Sequence, residues 1–220
     1  MAAIFDPELE KRIADCGIVA VLIIDREDDA VPLAQALLRG GVSAMELTLR
    51  TPAAIPALKK IRAEVPDMLA GVGTILTPDQ AREAQDAGAA FGVSPGTNPK
   101  VLEAAAERGF SFAPGILTPS DIEAAVGHGC RLLKFFPAEP SGGLAYLKAM
   151  SAPYAHLGLR FVPLGGLNAG NMASYLSDPL ISALGGSWLA PRDAVKAGQW
   201  DVITSLASDA VQIIQSVRKK

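Results

Sequence analysis

The sequence predicts an α/β protein, a (β/α)8 (TIM) barrel with a short N-terminal helix, as one domain over residues 1–220. Three observations carry that reading. Short apolar runs alternate with helical patterns along the whole chain, with no linker or low-complexity segment between them, as repeated strand–helix units require. Glycines that stop helices at Gly88, Gly109 and Gly129 recur about every twenty residues, the length of one such unit. No glycine fingerprint follows the first strand, which favours the closed barrel over a doubly wound sheet.

The elements follow in order. Asp6 and Pro7 suit the N-cap and first position of a helix reaching about Asp15. Gly17 to Ile24 is continuously apolar, the pattern of a parallel strand covered on both faces. A helix from Glu27 to Leu38 follows and stops at Gly40-Gly41. The cycle repeats with strand Ser43–Thr48 and helix Pro52–Val65 (Thr51 as its cap), then strand Met68–Gly73 and helix Pro78–Ala87. Strand Ala89–Ser94 leads to helix Pro99–Arg108, and strand Phe110–Pro114 to helix Pro119–Val126. A strand beginning at Arg131 precedes helix Gly143–Met150, and strand Arg160–Leu164 precedes helix Ala169–Leu176, capped by Asn168. Leu180–Leu184 is the last predicted strand, with terminal helices from Pro191 onward.

Composition excludes several kinds of partner. Net charge is −3, and no basic run exceeds Arg218-Lys219-Lys220, so neither nucleic acid nor an anionic membrane is an expected partner. The longest apolar run, Gly17 to Ile24, is far short of the roughly 20 residues that span a bilayer. Met1 to Glu8 has no basic start and apolar core, which predicts no export signal and a cytoplasmic protein. Cys16 and Cys130 form no CxxC, and His128 and His156 lie in unrelated segments, so no metal and no other cofactor is expected. His128 and Cys130 are read as structural or surface residues.

The chemistry is predicted to sit where such barrels hold it, at the C-terminal strand ends. In Arg131-Leu132-Leu133-Lys134-Phe135-Phe136-Pro137-Ala138-Glu139, a lysine interrupts a strand suited to burial. An ammonium among such neighbours is poorly solvated, which favours the free amine, a nucleophile toward carbonyl carbon. The bland alternative is a strand-end lysine whose stem lies along apolar surface. Glu46 alternates with Met45 and Leu47 and so points into the barrel, either as a carboxylate paired with some cation or, facing Lys134, as half of an acid/base pair. Arg50 lies four residues on, about 13 Å along an extended strand, and reads as a carboxylate fork or a solvated loop charge. Gly71-Val72-Gly73-Thr74 offers close backbone approach and a hydroxyl, or a tight packing turn. The pairs Gly165-Gly166 and Gly185-Gly186 leave the last two strands, the recurrent phosphate position of this fold, or else pack a crowded rim.

Together these segments resemble one family. Glu46-Leu47-Thr48-Leu49-Arg50-Thr51, Gly73-Thr74, Ser94-Pro95-Gly96, Pro114-Gly115-Ile116, Lys134-Phe135-Phe136-Pro137-Ala138-Glu139 and Gly185-Gly186-Ser187-Trp188-Leu189 look like the class I aldolases acting on 2-keto-3-deoxy-6-phosphogluconate and 4-hydroxy-2-oxoglutarate. The resemblance runs in register from about Gly17 to the C-terminal helix. It implies a metal-free lyase, usually a homotrimer, acting on a small keto acid. It implies a Schiff base on Lys134, proton transfer by Glu46, and carboxylate contacts from Arg50 and Thr74. Phe136 would form an aromatic wall and Pro95 a further substrate contact, while Gly165, Gly166, Gly186 and Ser187 would hold phosphate. One position departs: family members usually carry threonine where this chain has Leu164, and relatives acting on the galactonate epimer carry an aliphatic residue there. The competing expectations are that epimer's aldolase, a sugar-phosphate isomerase or epimerase barrel, and a non-catalytic ligand-binding scaffold.

Overall fold

A computed structural model describes residues 4–218. Its parallel strands close on themselves. The first strand, Ile18–Leu22, pairs on one side with the second, Ala44–Thr48, and on the other with the last, Leu184–Gly186. Leu69–Gly73 and Gly92–Val93 continue the sheet as third and fourth strands. The fifth is broken at Pro114. Its first run, Phe112–Ala113, pairs with the fourth strand, and its second, Gly115–Ile116, pairs with the sixth, Leu132–Phe135. Proline donates no ladder bond, yet its carbonyl accepts from Lys134 N at 2.9 Å and carries the sheet across the break. The seventh strand, Arg160–Pro163, pairs with the sixth, and bridges Phe161–Ile181 and Leu164–Gly185 complete the ring.

The helices lie outside. Asp6 caps Pro7–Cys16, accepting from Leu9 N at 2.9 Å, as its sequence position predicts. Thr77 with Gln80 and Thr118 with Asp121 form capping boxes that start Pro78–Asp86 and Pro119–Gly127. Three starts differ from expectation. Glu27–Asp29 is a 3-10 turn, and the helix proper is Ala30–Arg39. Thr51 does not cap, because its hydroxyl donates to the Ile24 carbonyl across the strand ends, and the helix begins at Ala54. Asn168 spends its side-chain oxygen on Gly170 N at 2.8 Å, a local turn that delays the helix to Met172–Leu176. The last strand also falls later than predicted. Asp178 holds Leu180 N at 3.0 Å in a turn, leaving Ile181 a single bridge.

Strand alternation sorts the side chains into two layers. Met45, Leu47, Leu133 and Phe135 pack outward against the helices. Val19, Ala44, Leu69, Val93, Ala113 and Leu132 fill the barrel interior. Phe5 and Ile13 join them from the N-terminal segment, with the Phe5 ring 6.3 Å from that of Phe91. Glu46 and Lys134 share the inward parity of Ala44 and Leu132, one step toward the C-terminal rim.

Candidate active site

Lys134 and Glu46 come from strands far apart in the chain and meet inside the barrel. Lys134 Nζ donates to Glu46 Oε1 at 3.2 Å, and the side chains are only 8% and 4% exposed. The ammonium also lies 5.6 Å from the centroid of the Phe136 ring, within cation–π reach. The pair divides two spaces. Beneath it is an apolar hollow of about 30 Å³ walled by Phe5, Val19, Phe91, Val93 and Leu132. Above it an open cleft of about 360 Å³ reaches solvent, within the size range of small-molecule sites. An amine that is buried on one side and reachable on the other can meet a carbonyl carbon without being immersed in water.

Most of the residues singled out from sequence line that cleft. Glu46, Arg50 and Thr74 come from the second and third strand ends, Pro95 from the fourth, and Lys134 and Phe136 from the sixth. Leu164, Gly165 and Ser187 complete the wall from the seventh and eighth. Gly166 and Gly186 do not. Gly166, at φ 79°, turns outward beside the Glu139 side chain, and Gly186 is buried in its strand against Ile18. Glu139 is itself fixed: its backbone N–H donates to Gly165 O at 3.0 Å, and the Tyr175 hydroxyl donates to its carboxylate. Burial, then that bond, pushes the Tyr175 phenol up.

Thr74 is the one described non-glycine residue at positive φ, at 60°. A β-branched residue pays a steric penalty there, of about 1–3 kcal/mol, and persists only where its surroundings hold it. Ile75 N, donating to Val93 O at 3.2 Å, pins the chain just beyond. Thr74→Gly is therefore expected to raise unfolding stability by about 1 kcal/mol, once glycine's extra unfolded-state freedom is subtracted. Activity should fall, because the hydroxyl over the cleft is lost. Urea midpoints check the first part, and a less stable glycine variant would show the conformation is not strained.

The sequence reading missed Thr48 and Arg192, which also line the cleft. Thr48 donates to Leu22 O at 3.0 Å. Arg192 forks onto Asp25, its Nε donating at 2.8 Å, and this hydrogen bond lowers the Asp25 carboxyl to about 2. Thr48 sits inside the quoted family segment and was legible there; Arg192 depends on a partner 167 residues away and gave no local signal. Burial raises the Cys130 thiol to about 12, consistent with a structural role. Among the described residues, no group of three or more His, Cys, Asp or Glu side chains could hold a metal ion.

A family model described as KDPG and KHG aldolase matches residues 9–206. The chain belongs to this aldolase family. Among its KDPG and KHG aldolase relatives is the 2-dehydro-3-deoxy-phosphogluconate aldolase of Treponema pallidum, 44% identical over 197 residues, covering 90% of this chain and 93% of the relative. The KHG/KDPG aldolase of Escherichia coli K12 is 42% identical over 195 residues, with 89% and 91% covered. The KDPG aldolase of Legionella pneumophila, whose structure holds pyruvate captured at low pH as a covalent carbinolamine, matches at TM-score 0.87 and 37% identity. That match covers 91% of this chain and 97% of the other. KDPG and KHG aldolases are lyases, and the barrel fold and family expected from the motifs are those found.

Proposed function

We propose that this chain is a Schiff-base aldolase that reversibly cleaves 2-keto-3-deoxy-6-phosphogluconate to pyruvate and glyceraldehyde 3-phosphate, and 4-hydroxy-2-oxoglutarate to pyruvate and glyoxylate. The observation that carries the reading is the Lys134–Glu46 contact at the floor of an open cleft. Lys134 adds to the C2 carbonyl and, with loss of water, forms an iminium. When the C3–C4 bond breaks, its electron pair moves toward the cationic nitrogen, giving an enamine and releasing the aldehyde. Glu46 takes the C4 hydroxyl proton as that bond breaks and later returns a proton to the enamine carbon. Hydrolysis of the resulting iminium frees pyruvate and regenerates the amine. Arg50 and Thr74 hold the carboxylate so that C2 faces Lys134. Phe136 and Pro95 wall the reacting carbons. Gly165 and Ser187, with Gly166 and Gly186 shaping their turns, face the distal phosphate.

The family resemblance supports a homotrimer. No helix among the described residues is long and apolar enough to cross a membrane, and a cytoplasmic setting agrees with the small-metabolite substrate. Condensation of pyruvate with glyceraldehyde 3-phosphate and with glyoxylate tests the reading. Product from both is expected, and failure with every aldehyde tried would overturn it.

Leu164 supports a second, finer reading, that selectivity between the gluconate and galactonate epimers is relaxed. Its side chain leans over Gly185, whose added Cβ would lie 2.3 Å from Leu164 Cδ1, and it lines both the cleft and the hollow below. Leucine offers bulk but no hydrogen bond, so no buried polar group is left unpaired by the wrong epimer. Leu164→Thr is expected to raise preference for the gluconate form by roughly 1–2 kcal/mol, the scale of a net hydrogen bond. The measurement is kcat/KM for both epimers with both proteins. Strong gluconate preference in the unaltered protein, unchanged by the substitution, would remove Leu164 from control of configuration.

A further inference from the structure

We infer that Gly73 is a positioning residue for the Glu46 carboxylate, an inference that rests on Glu46 being the proton-transfer group. Gly71 and Gly73 share the inward parity of Leu69 on the third strand, beside Glu46 on the second. A Cβ on Gly73 would lie 1.7 Å from Glu46 Oε1, 2.4 Å from its Cδ and 2.7 Å from its Cγ. All three of its nearest atoms belong to that one side chain. Glu46 Oε1 is also the oxygen that accepts from Lys134 Nζ. The space beside Gly73 is thus the seat of the carboxylate, and any side chain there would evict it.

Conformation does not explain the glycine. Gly73 is absent from the positive-φ residues, so its backbone lies outside the left-handed region that favours glycine. Nor does general packing, which accounts for its neighbour: a Cβ on Gly71 would meet the Phe91 ring at 2.3 Å. Gly71 admits an aromatic ring to the barrel interior, whereas Gly73 admits a functional group.

The consequence is a variant that folds but misplaces its acid/base group. Carbon and oxygen in ordinary contact stand about 3.5 Å apart, so an alanine methyl drives the whole outer part of Glu46 aside. The flexible end of one side chain absorbs the clash. A displacement of about 1 Å in a catalytic group costs on the order of 100-fold in rate. Lys134 loses its hydrogen bond to the displaced carboxylate but keeps its amine, so covalent capture of pyruvate survives.

The experiment compares unaltered protein, Gly73→Ala and Glu46→Gln for two readouts with pyruvate alone: borohydride trapping, and exchange of the pyruvate methyl protons with deuterated water. Gly73→Ala is expected to trap pyruvate nearly as well as the unaltered protein and to exchange about 100-fold more slowly. Impaired exchange in Glu46→Gln beside near-normal exchange in Gly73→Ala would overturn the inference alone. Normal exchange in Glu46→Gln would overturn the assignment of Glu46, and the inference with it. Thermal unfolding supplies an independent check through Gly73→Ala in a Glu46→Ala background. With the Glu46 side chain cut back to its Cβ, the three atoms nearest the methyl are gone, so the double variant should unfold within a degree or so of Glu46→Ala. A clear further loss of stability would place the clash elsewhere and contradict the inference.

Discussion

Lys134→Ala is expected to lose cleavage and condensation by at least about 10⁴-fold in kcat/KM, the scale on which removing a nucleophile disables a catalytic unit. That is about 5.5 kcal/mol of transition-state stabilisation at 1.36 kcal/mol per tenfold. The reason is chemical. Without an iminium nitrogen, the electron pair from the C3–C4 bond has only a neutral ketone to enter. Because Lys134 is buried against Glu46, alanine also leaves a carboxylate without its partner. Lys134→Met also leaves the carboxylate unpartnered but keeps the apolar stem, so it separates loss of the amine from loss of packing. Steady-state assays of both variants should give the same loss, and an active methionine variant would refute the role of the amine.

Glu46→Gln should cost at least about 100-fold in turnover, the low end for a positioned general acid/base. The amide has the shape of the carboxylate but cannot take the C4 hydroxyl proton. Its carbonyl oxygen can still accept from Lys134, so the pair keeps a hydrogen bond and the barrel interior keeps its packing. Capture of pyruvate on the amine should therefore survive in part while cleavage collapses. The split distinguishes a proton-transfer role from a structural one, in which trapping and turnover would fall together. Turnover near that of the unaltered protein would take Glu46 out of the mechanism.

Strand parity explains how much of this was legible. Met45 and Leu47 flank Glu46, so alternation alone turned it inward. Lys134 was marked only by its apolar neighbours, and the fold, with Leu133 and Phe135 outward, gives it the same parity as Glu46. That they touch was not legible, since register around a closed barrel depends on every strand between them. The break at Pro114 and the late start of the last strand belong to the same class, being set by pairing partners rather than local pattern. Thr51 and Asn168 read as caps but found nearer acceptors or donors in the folded chain. The glycines were the most ambiguous letters. Bare backbone for a ligand and bare backbone for a neighbour look identical in sequence, and only the fold shows Gly71 beside Phe91, Gly73 beside Glu46 and Gly185 beside Leu164.

Borohydride reduction in the presence of pyruvate, followed by peptide mapping, decides whether Lys134 carries the Schiff base. One reduced pyruvyl adduct per chain is expected, in the peptide containing Lys134, and none when Lys134 is replaced. An adduct on a different lysine, or active enzyme that gains no adduct, would contradict it.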